Sequence, residues 1–330
     1  MVVKRELLYL TKEDVANVGY SMQETLDALD EVYHEKCIGN FEMPHKIGIH
    51  PREDDYIHAM PCWAKKWNTA GIKWAAGFKH NPKDYGLDYI NGFIILNDVD
   101  TGVPYVVMDS AWITAIRTGG KSGLAAKYLA RKNSTTVGML GCGVQSRRAL
   151  EAIKLACPQL KKAWCWDVFS DSAERFAEDM RKVCPDMEIK ATTSAEEACV
   201  DADIIGTGAP VVHEDIAVIR KEWVKDGLLT ATVDIDVLWK KDAVVEKFSK
   251  FFCDDQSQFL YYRDERHDVK SILVLPNELC DMVGGKVPGR ENDQENIFSM
   301  NSGIAFDDMP VARAVYERAM VKGIGRMLPL

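Results

Sequence analysis

The segment Val137-Gly-Met-Leu-Gly141-Cys-Gly143-Val144-Gln145-Ser146 gives the strongest indication of how this chain folds. An apolar strand is expected to run directly into the glycines, and residues 147–157 have the apolar spacing of an amphipathic helix. In a strand–turn–helix of this kind the first glycine permits the tight turn and the second lets the backbone approach a pyrophosphate, while the helix N-terminus offers N–H groups. Ser146 stands where the third glycine usually lies. We therefore predict a dinucleotide site that includes Gly141, Gly143, Val144, Gln145 and Ser146.

A second strand is predicted to end in an acid, in the segment Lys162-Ala-Trp-Cys-Trp-Asp167. A carboxylate at that place can accept hydrogen bonds from both ribose hydroxyls and would repel a 2′-phosphate. The alternative is a tight turn followed by a solvated aspartate. The pattern favours NAD over NADP, and we add Thr207 to the residues expected to bind it.

Composition is that of an ordinary enzyme. A chain of 330 residues is long for one core, so two domains are expected. A formal net charge of −9, without long basic runs, argues against nucleic acid and anionic membranes as partners. No apolar stretch approaches the ~18 residues of a spanning helix, and the N-terminus breaks its apolar run too soon for a signal peptide. Nine cysteines without Cys-x-x-Cys pairs indicate reduced thiols and a cytoplasmic location.

The N-terminal third is predicted to mix helices and antiparallel strands. Thr11 opens one helix, and Ser21-Met-Gln-Glu24 is a capping box for a second that reaches about residue 35. Strands are predicted at 57–63 and 71–78, and a hairpin at 90–97 and 104–109. Ser110 is expected to cap a long helix that ends near Leu129.

From residue 134 onward the predicted strands and helices alternate, which is typical of a parallel sheet covered on both faces. The strands are predicted at 135–140, 162–167, 187–192, 203–207, 228–234 and 250–253. A last helix at 307–322, with Gly323 as its C-cap, is assigned to the first domain. The predicted fold is therefore α/β, with an α+β substrate-binding and dimerisation domain (1–119), a Rossmann domain (120–303) and a returning C-terminal helix (304–330).

Lys73 is the first candidate for chemistry. It lies in Gly71-Ile-Lys-Trp-Ala-Ala-Gly77, where alternation points Lys73 to the same face as small residues and Trp74 to the other face. A rim lysine that reaches solvent is the alternative. Trp63, Trp67 and Trp74 surround this segment and are interpreted as core residues rather than as an aromatic substrate box.

Three further positions could bind or transform a substrate. Arg117 follows an apolar helical stretch, and its guanidinium can form a two-pronged contact with a carboxylate. Lys46 could add a second cationic contact, although a solvated loop lysine is equally consistent with the sequence. Asp236 follows a late strand, at the sheet edge where ligands of open α/β sheets bind, and Asp234 competes with it for that role.

Other chemistries lack their signatures. His45, His50 and His58 do not share a helical or strand face, and His213-Glu-Asp lacks the second histidine of a zinc protease, so no metal site is predicted. Gly-x-Ser-x-Gly and the P-loop pattern are both absent from the sequence, which argues against hydrolase and P-loop functions.

Motifs spread over nearly the whole chain resemble the ornithine cyclodeaminase/mu-crystallin family. They are Met60-Pro61, Gly71-Ile-Lys73, Ile90-Asn-Gly-Phe-Ile-Ile-Leu96, Asp100-Thr-Gly, Ile116-Arg-Thr-Gly119, Ser122-Gly-Leu-Ala-Ala-Lys-Tyr-Leu-Ala130, Gly141-Cys-Gly-Val-Gln145, Ser302-Gly-Ile-Ala-Phe-Asp-Asp308, Val315-Tyr-Glu-Arg-Ala319 and Gly323-Ile-Gly325. The resemblance implies a homodimer with a substrate and dimerisation domain beside a Rossmann domain. It also implies that Lys73 is an active-site lysine, Arg117 the carboxylate-binding arginine and Asp236 the catalytic aspartate.

Departures from the family pattern concern the substrate. Pro44-His-Lys46 stands where the family usually shows Pro-x-Arg, and His58 stands where cyclodeaminases carry a glutamate. The usual Asp-x-Pro-Gly-Lys reads Asp236-Val-Leu-Trp-Lys240. We therefore expect Lys46 and His58 to contact the substrate, and ornithine to be disfavoured.

Three functions follow from the resemblance. The first is an NAD-dependent amino-acid dehydrogenase or imino-acid reductase, which is the function we predict. The second is a cyclodeaminase that converts ornithine to proline and ammonia and recycles NAD within the turnover. The third is a non-catalytic crystallin-like binder, which the co-occurrence of Lys73, Arg117 and Asp236 disfavours.

Overall fold

The structure is a computed structural model that describes residues 6–212 and 214–330. Residues 1–5, which begin the segment where no signal peptide is expected, and His213 lie outside the described residues. The chain divides into two compact units: the residues up to Arg117 together with Ile304–Leu330, and Thr118–Gly303. Among the described residues, no helix is both long and apolar enough to cross a membrane.

Strands and helices follow in chain order. The strands are β1 (Glu6–Leu10), β2 (Phe41–Glu42), β3 (Ile47–Arg52), β4 (Asp55–Ala64), β5 (Thr69–Gly77), β6 (Ile90–Asn97), β7 (Pro104–Asp109), β8 (Thr136–Leu140), β9 (Lys162–Trp166), β10 (Glu188–Ala191), β11 (Ile204–Thr207), β12 (Leu229–Thr232), β13 (Lys250–Cys253), β14 (Asn277–Glu278), β15 (Ile297–Met300) and β16 (Arg326–Pro329). The helices are α1 (Lys12–Asn17), α2 (Met22–Cys37), α3 (Asn81–Asp84), α4 (Ala111–Leu129), α5 (Val144–Ala156), α6 (Ser170–Val183), α7 (Ala195–Cys199), α8 (Lys241–Lys247), α9 (Gln256–Leu260), α10 (Leu279–Val283) and α11 (Ala305–Lys322).

The first unit is built on a mixed sheet in the order β16-β1-β7-β6-β5-β4-β2, with β3 beside β4. The hairpin β6–β7 has the predicted bounds. α11 packs against β4 and β5, and α2 packs against α11, so these helices cover one face of the sheet. Strands β1, β2, β3 and β16 were not predicted. β1 and β16 pair although they lie at opposite ends of the described chain.

Helix starts in the first unit follow local capping chemistry. Ser21 Oγ accepts from the N–H of Glu24, and the Glu24 carboxylate accepts from the N–H of Ser21, so the predicted capping box of α2 is confirmed. Ser110 stands at the N-cap of α4, as predicted, and its carbonyl oxygen accepts from Thr114 N–H at 2.8 Å. Its hydroxyl, however, is buried with no hydrogen-bond partner among the described residues. The Asp109 carboxylate accepts instead from the N–H of Ala111, the first residue of the helix.

The second unit contains a parallel sheet in the order β10-β9-β8-β11-β12-β15-β13-β14. Its first five strands have the order of a Rossmann fold. The strand order reverses between β8 and β11, and sheets of this kind bind ligands at that point, at the carboxyl ends of the strands. The six predicted strands are confirmed to within two residues, while β14 and β15 were missed. The predicted fold class, a Rossmann domain with a second α+β domain, is confirmed.

Candidate functional site

The glycine turn joins β8, which is entirely buried, to α5. Gly141 has a φ of +79°, which L side chains rarely adopt, and a Cβ there would lie 2.8 Å from the carbonyl oxygen of Gly208. Only glycine fits this position without strain. The turn therefore brings the chain sharply from the end of β8 into the first residue of α5.

Gly143, the N-cap residue of α5, has open space where a Cβ would lie, with no heavy atom within 4 Å among the described residues. No side chain in the described part of the chain forms a capping hydrogen bond at this helix end. Arg147 Nη1 donates to the carbonyl oxygens of Cys142 and Gly143 and adds positive charge nearby. An open helix N-terminus with a nearby guanidinium suits an anionic group such as a pyrophosphate.

The other predicted turn residues also fit a polar ligand. Val144 is exposed. Gln145 Oε1 and Ser146 Oγ are buried and, within the described residues, have no hydrogen-bond partner. Buried polar atoms in native proteins are almost always paired, so these two atoms are consistent with a bound polar molecule.

Asp167 directly follows β9 and is fixed beside the glycine turn. One carboxylate oxygen accepts from Cys142 N–H at 2.7 Å, and the other accepts from Phe169 N–H at 3.0 Å. Because a carboxylate oxygen accepts more than one hydrogen bond, both remain able to accept from ribose hydroxyls. The side chain is only half-buried, so it is also reachable from solvent.

Thr207 and Asp234 form a second polar contact at the carboxyl ends of the sheet. Thr207 Oγ1 donates to one Asp234 oxygen at 2.5 Å, and Ala209 N–H donates to the other at 2.9 Å. Burial raises the pKa of Asp234 to about 6, although these two hydrogen bonds oppose the shift. Asp234 is thus engaged with the β11 end of the sheet.

Asp236 lies two residues further on and is held differently. Its carboxylate accepts from the backbone N–H groups of Lys270 and Ser271, at distances down to 2.6 Å. Burial raises its pKa, and the two N–H donors offset part of that shift. Ile235, between the two acids, has a φ of +69°, which is strained for a β-branched residue. The backbone therefore turns sharply here and sends neighbouring carboxylates to separate partners.

In the first unit, Lys73 lies on β5 between Met60 and Ile94 and is 1% exposed. The alternative of a solvent-reaching rim lysine is therefore wrong. Its Nζ donates to both oxygens of Asp308 on α11, at 2.9 and 3.0 Å. Burial, followed by the charge of Arg117, lowers the pKa of Lys73 to about 8.

Arg117 shares the same carboxylate. Its Nε donates to Asp308 Oδ1 at 2.9 Å, and its Nη1 lies 3.7 Å from Asp307 Oδ2. Burial alone would raise the pKa of Asp308, but Arg117 and Lys73 outweigh it and the pKa is lowered. Sequence reasoning did not assign a role to Asp307 or Asp308. The available signal was two adjacent acids at the start of a helix rich in apolar residues.

Lys46 and His58 are both buried, so a solvated loop lysine at position 46 is wrong. His58 stacks on Tyr56 with ring centroids 4.2 Å apart, and a side chain at Gly48 would collide with its ring. His58 pairs with Ala75 across β4 and β5. Two residues along each strand, Met60 pairs with Lys73. His58 and Lys73 therefore share the buried face of the sheet.

The interpretation of the tryptophans as core residues is wrong for Trp63 and Trp74. Trp74 is 46% exposed and Trp63 is 38% exposed. Trp67 is half-buried and meets Phe306 edge to face at 5.9 Å. Alternation along β5 places exposed Trp74 on the face opposite buried Lys73, as predicted. In the described part of the chain, no three His, Cys, Asp or Glu side chains are grouped as a metal site.

Comparisons with known proteins identify the family and several relatives. A model of the ornithine cyclodeaminase/mu-crystallin family matches residues 6–323. Alanine dehydrogenase of Archaeoglobus fulgidus is 32% identical over 326 residues, which cover 97% of this chain and 97% of that protein.

Two solved structures match along the full chain. Delta(1)-pyrroline-2-carboxylate reductase of Thermococcus litoralis, in complex with NADH and L-proline, has a TM-score of 0.87 and 29% identity and covers 97% of this chain and 99% of that chain. An archaeal alanine dehydrogenase dimer with bound NAD has a TM-score of 0.85 and 30% identity and covers 98% of this chain and 99% of that chain.

Proposed function

The chain belongs to the ornithine cyclodeaminase/mu-crystallin family, and from this premise we propose that it is an NAD-dependent enzyme acting at the α-carbon of an amino acid. It is an amino-acid dehydrogenase or an imino-acid (ketimine) reductase. One observation carries the proposal: a dinucleotide-type turn, open at Gly143, occurs in a chain that buries Lys73 and Arg117 on one carboxylate. A crystallin-like binder has no need of that buried cation pair.

The second unit holds the cofactor. Gly141, Gly143, Val144, Gln145 and Ser146 bind the pyrophosphate at the start of α5. Asp167 accepts from the adenosine ribose, which favours NAD over NADP because the carboxylate repels a 2′-phosphate. Thr207, at the carboxyl end of β11, contacts the same molecule. These residues would hold NAD, which when bound would supply the hydride acceptor for the substrate α-carbon, or as NADH the hydride donor in the reverse direction.

The cationic residues of the first unit bind the substrate carboxylate. Arg117 forms a two-pronged contact with it and Lys46 adds a point charge, while His58 bounds the side chain. Lys73 remains protonated below pH of about 8 and polarises the carboxylate or an attacking water. These contacts fix the orientation of the α-carbon, which is where a positioned substrate gains most of its rate.

Asp236 moves the proton. Its raised pKa brings it closer to neutrality, so it can take a proton from the substrate amine or from water and return it in the reverse direction. The Lys270 and Ser271 N–H groups stabilise its ionised form and fix its position. Asp234, whose oxygens accept from Thr207 and Ala209, stays the competing carboxylate for this role.

The test is a screen of L-amino acids with NAD, and of α-keto acids with amines or cyclic imines with NADH, followed at the NADH absorbance. We expect NADH to accumulate with at least one amino acid. Asp236→Asn should abolish the reaction and still bind NAD. Conversion of ornithine to proline without net NADH would make the protein a cyclodeaminase instead. Absence of turnover with every substrate, despite tight NAD binding, would favour a binder.

The enzyme acts as a homodimer through the open face of the first sheet. Ile47, Ala59, Trp74 and Phe93 lie opposite one another on four adjacent strands, and the face they share is not the one covered by α11. Ile47 is 59% exposed and Phe93 is 43% exposed. Apolar patches of this kind mark interaction sites. A second copy is the partner we propose, since a relative of 30% identity is a dimer.

Trp74→Asp tests this interface. In a dimer the apolar patch would be buried, and a carboxylate at its centre would then be strongly unfavourable. The molar mass of the variant in solution, from light scattering, should fall to that of one chain. Val321→Asp is the matched control, since Val321 is 89% exposed at the end of α11 and should leave the mass unchanged. An unaltered mass for Trp74→Asp, or a monomeric unmutated protein, would refute the assignment.

A cytoplasmic location is part of the proposal. All nine cysteines are buried and none is joined in a disulfide bond, which is consistent with a reducing compartment. Fractionation of cells that express the tagged full chain tests it. Recovery in a membrane or secreted fraction would contradict it.

A further inference from the structure

The first turn of α11 contains two fully buried acids that the proposed chemistry does not yet use. Asp308 accepts three hydrogen bonds, two from Lys73 Nζ and one from Arg117 Nε. Lys73 and Arg117 meet on the same oxygen, Oδ1. Asp307 accepts from the N–H of Ile304, the residue before α11, at 3.2 Å, and lies 3.7 Å from Arg117 Nη1. Asp308 is therefore the acid that accepts hydrogen bonds from both cations, whereas Asp307 binds the start of the helix.

Asp308 offsets the repulsion between two buried cations, Lys73 and Arg117. Lys73 comes from β5 and Arg117 from α4, and both cations are buried beside each other. Like charges at such range repel, and Arg117 lowers the pKa of Lys73 for that reason. A lysine side chain is also flexible, because its ammonium group lies at the end of a four-carbon stem. One shared carboxylate offsets the repulsion and fixes both side chains at once.

We propose that Asp308 is a positioning residue that holds Lys73 and Arg117 side by side, so that both act on one substrate carboxylate. The proposal rests on the function proposed above and deepens it. Asp308 itself does not touch the substrate. It acts through Lys73, whose charge it maintains, and through Arg117, whose guanidinium it orients from the Nε side.

The charge on Lys73 is the direct readout. The charged groups that act on it are Arg117 of α4 and Asp307 and Asp308 of α11. Asp308→Asn removes the nearest anion with almost no change of shape, so Lys73 should lose its proton at a pH at least about one unit lower, a tenfold change in the equilibrium. If the ion pair had only a structural role, Asp308→Asn would lower the melting temperature, but the pH dependence of the activity would not follow the titration of Lys73.

The experiment is a pH titration of the full chain labelled with 13C at lysine Cε, with the Lys73 signal assigned by its absence from Lys73→Met. The cofactor-free protein is used, so the result does not depend on turnover. We expect an inflection near pH 8 in the unmutated protein, and one at least about a unit lower in Asp308→Asn. Glu317→Gln is the control, since Glu317 is an exposed acid of the same helix and should not move the inflection.

Activity supplies the second measurement. In Asp308→Asn, the pH at which kcat/KM falls on the alkaline side should decrease by as much as the pKa of Lys73 decreases. The Kd for NAD should be unchanged. Asp308→Glu keeps the charge but moves it by one methylene group, so the titration should stay near that of the unmutated protein while kcat/KM falls about tenfold or more. This variant carries the test alone if Asp308→Asn does not fold.

An unshifted Lys73 titration in folded Asp308→Asn would overturn the proposal, as would full kcat/KM in Asp308→Glu. Failure of the proposed function looks different. In that case no amino acid supports NADH formation, yet the Lys73 inflection still moves in Asp308→Asn.

Discussion

Gly143→Ala separates the role of the glycine turn in folding from its role in binding. The structure leaves open space where the added methyl group would lie, and Gly143 has φ −81° and ψ −166°, which alanine can adopt. Alanine reduces the conformational entropy of the unfolded chain, which stabilises the folded protein by about 0.4–1 kcal/mol. Alanine is also a poorer N-cap residue than glycine, which offsets this gain by a similar amount. We expect the free energy of unfolding without cofactor to change by less than about 1 kcal/mol.

Binding of NAD should suffer much more, because the methyl group would occupy the space proposed for the pyrophosphate. A hydrogen bond from a backbone N–H to a charged oxygen contributes about 1.5–3 kcal/mol. A tenfold change in Kd corresponds to about 1.4 kcal/mol. Loss of one such bond therefore weakens NAD binding by about 10- to 150-fold.

Gly141→Ala is the matched comparison in the same turn. Its φ of +79° and the 2.8 Å approach of the Gly208 carbonyl oxygen leave no room for a side chain. A left-handed conformation alone costs a non-glycine residue about 1–2 kcal/mol, so this variant should lose at least that much stability without any cofactor. The two changes are chemically identical and differ only in where the methyl group lies.

Calorimetric NAD titration and urea unfolding of the cofactor-free protein, followed by circular dichroism, measure both quantities for both variants. The reasoning is refuted if Gly143→Ala binds NAD as tightly as the unmutated protein. It is also refuted if Gly143→Ala loses as much stability as Gly141→Ala, because the space at Gly143 would then not be open.

Three other changes test separate parts of the proposal. Asp167→Ser should reduce the preference for NAD over NADP at least about tenfold, read from the two kcat/KM values, and equal use of both by the unmutated enzyme would contradict the role of Asp167. Arg117→Lys keeps the charge but loses the planar fork, so kcat/KM should fall about 10- to 150-fold with the Kd for NAD unchanged, and an unaltered kcat/KM would remove Arg117 from the site. Burial raises the pKa of Asp234 to about 6, whereas an aspartate in the unfolded chain has a pKa of about 3.9. The folded state therefore binds the proton more tightly, and the stabilisation that this gives is lost as the pH rises from about 4 to about 6. Asp234→Asn should reduce that fall in the urea midpoint, and an identical pH dependence in both proteins would contradict the assigned burial.

The elements predicted from sequence are those whose signals are local. The capping box at Ser21 and the C-cap at Gly323, which has a φ of +64°, were recognisable because the residues that satisfy each helix end lie within a turn of it. The hairpin β6–β7 was found because two alternating runs flank a short polar turn. Ser110 was identified as the N-cap residue of α4, but the sequence did not show that the Asp109 carboxylate, and not the Ser110 hydroxyl, would accept from the start of the helix.

The candidate site was predictable in its residue types and not in its contacts. Lys73, Arg117 and Asp236 were singled out because charged side chains interrupt apolar segments, and the family resemblance supplied their expected roles, which stay predictions. The environment of each was not visible. Whether Lys73 reached solvent depended on what covered the sheet, and the exposure of Trp74 depended on the same fact.

The sequence by itself determined the turn between β8 and α5, because a left-handed residue and an open approach to a helix N-terminus each demand glycine at a fixed spacing. It also determined the alternation along β5, since successive side chains of a strand must point to opposite faces. Tertiary structure alone decided that Lys73 would meet Asp308, 235 residues away, and that Asp236 would accept from Lys270 and Ser271. Local geometry reaches only a few residues along the chain, whereas a buried charge takes the partner that the packing of distant elements brings to it.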